Sequence, residues 1–162
     1  MLLKKDSAAI AKDYPPRKIV SYPIPGDSKK GGALFIYGDE KAKNIAFISP
    51  GFPDDHGVFL PFASRLASET DTLVGVTCLP GYDDREDKRW IEHKRQKPDG
   101  YTFEEAAAAL REAAKALFAE SACPSKPKIT GIFHDWGSLV GNIWAKQAMA
   151  ENSSSQPGTI RK

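Results

Sequence analysis

Residues 129–138 read Ile129-Thr130-Gly131-Ile132-Phe133-His134-Asp135-Trp136-Gly137-Ser138, and the fold turns on this stretch. Ile129–Phe133 is an apolar run of strand length, and Leu139–Ala150 reads as a helix. Between them the chain must leave an extended ribbon and enter a coil within a few residues. Gly137 permits close packing at that bend. A strand that runs straight into a helix is the repeating unit of a parallel α/β sheet.

Working back toward the N-terminus, the same unit recurs. Ile45–Ile48 and Leu73–Thr77 are continuous apolar runs, as expected of strands covered on both faces. Phe59, Phe62, Ala63 and Leu66 follow at helical spacing, with Pro61 tolerable in a first turn. Thr102-Phe103-Glu104-Glu105 is a capping box, and Phe103, Ala107, Leu110, Ala114 and Leu117 then step along one helix face. Ahead of these, Arg17–Tyr22 and Ala33–Tyr37 flank the turn-rich stretch 26–32 and read as an antiparallel hairpin. The expectation is an α/β fold: a mostly parallel sheet of about five strands, an antiparallel N-terminal strand pair and three helices.

The chain has 162 residues, 41% hydrophobic and 27% charged, which suits one globular domain with a real core. Its 23 basic and 21 acidic side chains give a net charge of +2, no electrostatic reason to expect nucleic acid or an anionic membrane as partner. No apolar run is long enough to span a bilayer, and the N-terminus lacks a signal-peptide core. Two cysteines, Cys78 and Cys123, are too few for a disulfide framework or a four-cysteine zinc site. A reduced, cytoplasmic setting is the default expectation. The stretch Asp83–Asp99 holds six bases and six acids and reads as a solvated loop anchored by Trp90.

In a parallel sheet, chemistry collects where strands end and helices begin. At the third such junction Asp135 stands at the apex of the bend, where neighbouring backbone N–H groups and the helix N-terminus favour negative charge. That is the layout of a nucleophile elbow with Asp in place of Ser. An Asp nucleophile attacks carbon and forms an ester with the enzyme. The plain alternative for Asp135 is a helix N-cap. At the first junction, Ser49-Pro50-Gly51-Phe52-Pro53-Asp54-Asp55, glycine and two prolines force the backbone off the strand. The N–H of Phe52 is then placed to pair with that of Trp136 as anion donors.

These motifs resemble the α/β-hydrolase superfamily, most closely its branch of epoxide hydrolases and dehalogenases. His134-Asp135-Trp136-Gly137-Ser138 is similar to that branch's elbow, and Gly51-Phe52-Pro53-Asp54 to its oxyanion loop. Pro80-Gly81-Tyr82 and Tyr101–Glu105 resemble two further motifs, in the family's order. The resemblance implies a partial α/β-hydrolase fold, with the N-terminal portion of the core over 17–152; the polar segment 1–16, ending in Pro15-Pro16, reads as a flexible arm and 153–162 as a polar tail. It implies Asp135 as nucleophile, backbone N–H groups of Trp136 and Phe52 as oxyanion donors, a small-molecule substrate and no cofactor or metal. Pro50 stands where the family has a His, Pro80-Gly81-Tyr82 lacks an Arg before its Gly, and Phe133 stands where a small residue is expected and should crowd the elbow. The family's second carboxylate and catalytic His follow far downstream of the elbow. None of His56, His93 and His134 matches that base, so the chain is expected to be the front half of a larger hydrolase or an incomplete binding module. Its Ile129–Phe133 edge would then be open to self-association or another partner.

Other candidates have plainer readings. Asp54, Asp55 and His56 are adjacent at a helix start, so capping is expected rather than metal binding. Ser138 lacks the flanking small residues of a serine nucleophile. His93 reads as solvated, Trp144 and Met149 as core, and Cys78 as buried and inert. Neither a phosphate loop nor a dinucleotide fingerprint is present.

Overall fold

A computed structural model describes residues 7–26, 31–52, 54–82, 100–125 and 127–154. The expectations for residues 27–30, Pro53 and the charged stretch 83–99, with Trp90 and His93, lie outside the described residues. In chain order the elements are α1 (Ser7–Asp13), β1 (Lys18–Tyr22), β2 (Gly32–Tyr37), β3 (Asn44–Ser49), a 3₁₀ turn (His56–Phe59) and α2 (Leu60–Glu69). Then follow β4 (Thr72–Val76), α3 (Phe103–Ala119), β5 (Ile129–Phe133) and α4 (Trp136–Ser154).

The strands form one sheet in the order β1-β2-β4-β3-β5. β1 and β2 pair antiparallel, β2 is antiparallel to β4, and β3 is parallel to both β4 and β5. Four strands therefore run one way and β2 alone runs back, the α/β layout expected from the sequence. Alternate residues divide the sheet into two apolar faces. Leu34, Ile36, Ile45, Phe47 and Leu73 join α3 and Val140 of α4 in one core. Ala33, Phe35, Ile48, Val74 and Val76 join Leu60 and Ala63 of α2 in the other.

The helices show why periodicity alone misplaced some side chains. The capping box of α3 is present, with Glu105 N–H donating to Thr102 Oγ1 at 3.2 Å and Thr102 N–H to Glu105 Oε2 at 3.0 Å. Ala107, Leu110, Ala114 and Leu117 are buried, but Phe103 is exposed, because the first residue of α3 lies past the edge of the core. In α2 the buried face is Leu60 and Ala63, with Phe62 exposed, because the 3₁₀ turn rotates the stripe away from the expected phase. Gly75 lets α3 approach the sheet: a Cβ there would stand 2.8 Å from a Leu117 methyl. α4 begins three residues before its expected start and runs past Ala150 into the segment read as tail. Trp144 packs edge-on to Phe47 at 5.6 Å, as a core residue, but Met149 is 70% exposed and belongs to the outer face of α4. Neither cysteine forms a disulfide; Cys78 is buried and Cys123 half-buried. Among the described residues no helix is long and apolar enough to cross a membrane.

Within the stretch 1–16 expected as an arm, residues 7–13 form α1, a fourth helix among the described residues where three were expected. Its anchor is sparse in sequence: Ile10 and Ala11 pack on the α2-side core, and the Tyr37 hydroxyl donates to Tyr14 O at 2.8 Å. Burial pushes the Tyr37 phenol above its ordinary pKa. A raised folded pKa gives stability that is complete below the unfolded value, about 10, and is lost as pH rises beyond it. Tyr37→Phe is therefore expected to cost about 1 kcal/mol at neutral pH, through the lost hydrogen bond. That deficit should shrink as pH passes 10, read from urea midpoints of both proteins across the alkaline range. A deficit that stays constant contradicts the assignment.

Candidate functional site

The connection from β3 enters α2 on one face of the sheet, and the connection from β5 enters α4 on the other. The carboxyl ends of these adjacent strands part there, and the crevice outside such a switch point is where α/β sheets place ligands. Pro50 and Gly51 pack against the turn 134–138 at this point.

The turn is tightly bonded. His134 N–H donates to Ser49 O at 3.3 Å, Gly137 N–H to His134 O at 2.9 Å and Ser138 N–H to Asp135 O at 2.9 Å. The Ser138 hydroxyl donates to Phe133 O at 3.1 Å, tying the first turn of α4 to the last residue of β5. At its apex Asp135 has φ 51°, the one positive value at a non-glycine among the described residues. Left-handed backbone costs an L-residue about 1 kcal/mol or more, although Asp tolerates it better than most. An ordinary N-cap has extended backbone, as Asp55 and Thr102 do here. Asp135 is therefore not held like the helix caps elsewhere in the chain.

Two glycines allow this close approach. A Cβ on Gly51 would overlap Trp136 N and stand 2.7 Å from Asp135 Oδ2 and 2.8 Å from Gly137 N. A Cβ on Gly137 would stand 2.6 Å from Pro50 O and 2.8 Å from Ser49 O. The exposed carboxylate of Asp135 thus lies against Gly51, and the Trp136 N–H opens to the same place. Trp136 starts α4, so its N–H has no intrahelical partner. Neither that N–H nor the Phe52 N–H has an acceptor among the described residues. The Asp135 carboxylate likewise accepts no hydrogen bond among them.

Aromatic rings border this crevice. Trp136 is 45% exposed and stacks on Phe103 at 5.3 Å, and Phe52, 52% exposed, meets Tyr82 edge-on at 5.6 Å. Phe103 was missed as a site neighbour because helical spacing assigned it to the core. Its place directly after the Thr102 cap is the signal that puts it at the end of α3, beside the start of α4.

Phe133 does not crowd the elbow as expected. Its ring occupies space that Cβ atoms on Gly131 and Gly141 would fill, with the Gly141 position 2.6 Å from the ring. Those glycines, in a strand and a helix where glycine is ordinarily costly, are the compensation for a large residue at that position.

The two described histidines point elsewhere. His56 is buried and stacked on Phe35 at 4.1 Å, and the His134 ring lies 6.1 Å from that of Phe59, on the α2 side of the sheet. Asp55 accepts from Gly57 N at 2.6 Å and caps the 3₁₀ turn, one step ahead of the helix it was expected to cap. No group of three or more metal-ligating side chains occurs among the described residues. The Ser138 hydroxyl is engaged with a backbone carbonyl.

No family model matches the chain, and no curated protein matches it. Among solved structures it is similar to a point mutant of an epoxide hydrolase from Bacillus megaterium, with a TM-score of 0.47 and 16% identity. The match covers 80% of this chain and 37% of that one, so the chain spans little more than a third of that protein's length.

Proposed function

We propose that the chain is an α/β-hydrolase-type protein in which Asp135 attacks carbon in a small, mostly apolar electrophile, an epoxide or an alkyl halide. The observation that carries this reading is the left-handed backbone at Asp135, which sets a carboxylate without a hydrogen-bond partner among the described residues beside Gly51. A carboxylate lone pair forms the new C–O bond. The epoxide C–O bond breaks to an alkoxide that takes a proton from water, or the carbon–halogen bond breaks and halide leaves. The product is an ester on Asp135. Its hydrolysis places negative charge on the ester's former carbonyl oxygen, and the Trp136 and Phe52 N–H groups are the donors for that charge.

Neither described imidazole faces the carboxylate, which favours a second reading, a non-catalytic α/β-hydrolase-like binding module. The two readings separate by mass spectrometry after incubation with small epoxides and haloalkanes. An adduct that maps to Asp135 and is absent from Asp135→Asn is the expected result. Absence of any adduct across the panel favours the binding module.

A further inference from the structure

The two edges of the sheet differ in chemistry. β1 opens with Lys18, ion-paired to Glu120 at 2.7 Å, and is preceded by Arg17, paired to Glu40 at 3.3 Å. Charges of this kind deter another strand from adding to an edge. β5 reads Ile-Thr-Gly-Ile-Phe, with no charge and no proline. Thr130 and Gly131 are exposed, whereas every residue of β4 is buried.

The direction of the β5 backbone follows from its ladder. β5 pairs with β3 in parallel, and His134 N–H extends that ladder to Ser49 O. Residues 130, 132 and 134 therefore turn their N–H and C=O groups toward β3, and the period of two turns those of Ile129, Gly131 and Phe133 outward. Of these outward groups only Phe133 O has a partner among the described residues, the Ser138 hydroxyl.

We propose that this edge joins two copies of the chain, β5 pairing antiparallel with its mate about a two-fold axis through Gly131. Such an axis sets Gly131 against Gly131 and Ile129 against Phe133, so every outward residue meets an outward residue and exchanges backbone hydrogen bonds with it. It also sets Lys128 opposite His134, beside the acidic turn at Asp135, so no lysine faces another lysine. Gly131, without a side chain, lets the two backbones meet at the axis. This pairing is independent of any chemistry at Asp135.

Sedimentation equilibrium and amide exchange on the full chain test it. The expected result is a reversible dimer in which the amides of Ile129, Gly131 and Phe133 exchange about tenfold or more slowly in concentrated than in dilute solution. The amides of Thr130 and Ile132, bonded to β3, should not respond to concentration. Ile129→Pro removes an outward donor at the first strand residue, where proline is tolerated, and is expected to weaken the dimer by about tenfold or more. A monomer at every concentration, the outcome if a strand of some other protein occupies this edge, overturns the proposal. So does a dimer that leaves those three amides unprotected, or an open-ended oligomer. If the proline variant fails to fold, the concentration dependence of exchange in the unaltered chain still decides.

Discussion

Gly51→Ala is expected to lower the rate of ester formation at Asp135 by about 100-fold or more while leaving the chain folded. Gly51 lacks a left-handed backbone, so alanine meets no conformational penalty there. The difficulty is space. The new methyl would overlap Trp136 N and lie 2.7 Å from Asp135 Oδ2, and carbon atoms settle at roughly 3.5–4 Å from such neighbours. The methyl meets backbone at Trp136 and Gly137, which cannot swing aside as a side chain can. Gly51 and the turn 134–138 must separate by about an ångström, enough to misalign reacting groups, and such overpacking costs about 1–3 kcal/mol of stability. Gly81→Ala is the matched control. Gly81 has φ 87° with nothing within 4 Å of a Cβ, so that substitution is expected to cost about 1 kcal/mol in backbone strain and leave alkylation unchanged. Labelling rates followed by mass spectrometry, with the Trp136 amide shift as an independent reporter, decide the matter. Equal rates in wild type and Gly51→Ala would show that the turn 134–138 is not held close at this glycine.

Much of this arrangement was legible in the residues themselves. Apolar runs ending in Pro-Gly or Asp-x-Gly sufficed to place β3, β4, β5 and the turn that opens α4, because backbone geometry there is dictated locally. What was not legible depends on partners distant in sequence. Nothing near Phe133 says that Gly141, a turn and a half into the next helix, makes room for its ring. Ile10, Ala11 and the Tyr14 carbonyl anchor the α1 helix, and these have value only once Tyr37 and the α2-side core exist. Phe103 and Phe62 are apolar at helical spacing and still exposed, because periodicity identifies a face but not where the core stops. Gly51 was read for its freedom to turn, yet its role in the crevice comes from its missing methyl, a contact with residues 84 or more positions away.

Phe47→Ala is expected to destabilise the chain by about 3–5 kcal/mol, a large share of the roughly 5–15 kcal/mol of a typical domain. Phe47 lies on β3, the strand between β4 and β5, and is fully buried. Its ring meets Trp144 edge-on at 5.6 Å and Phe133 at 6.3 Å, and Phe133 and Trp144 meet each other at 6.1 Å. Three rings in mutual contact, drawn from β3, β5 and α4, leave no small neighbour able to fill the space of a lost phenyl group, so the cavity cost adds to the transfer cost. Phe62→Ala removes an identical side chain that is already exposed and should change stability by less than about 0.5 kcal/mol. Urea midpoints for the two variants, at unchanged slope, give the comparison directly. Phe133 begins the elbow, so loss of Phe47 should also slow alkylation of Asp135 in molecules that remain folded. A Phe47→Ala cost no larger than that of Phe62→Ala would mean that the three rings do not pack together, and the turn at Asp135 would lose its support from the core.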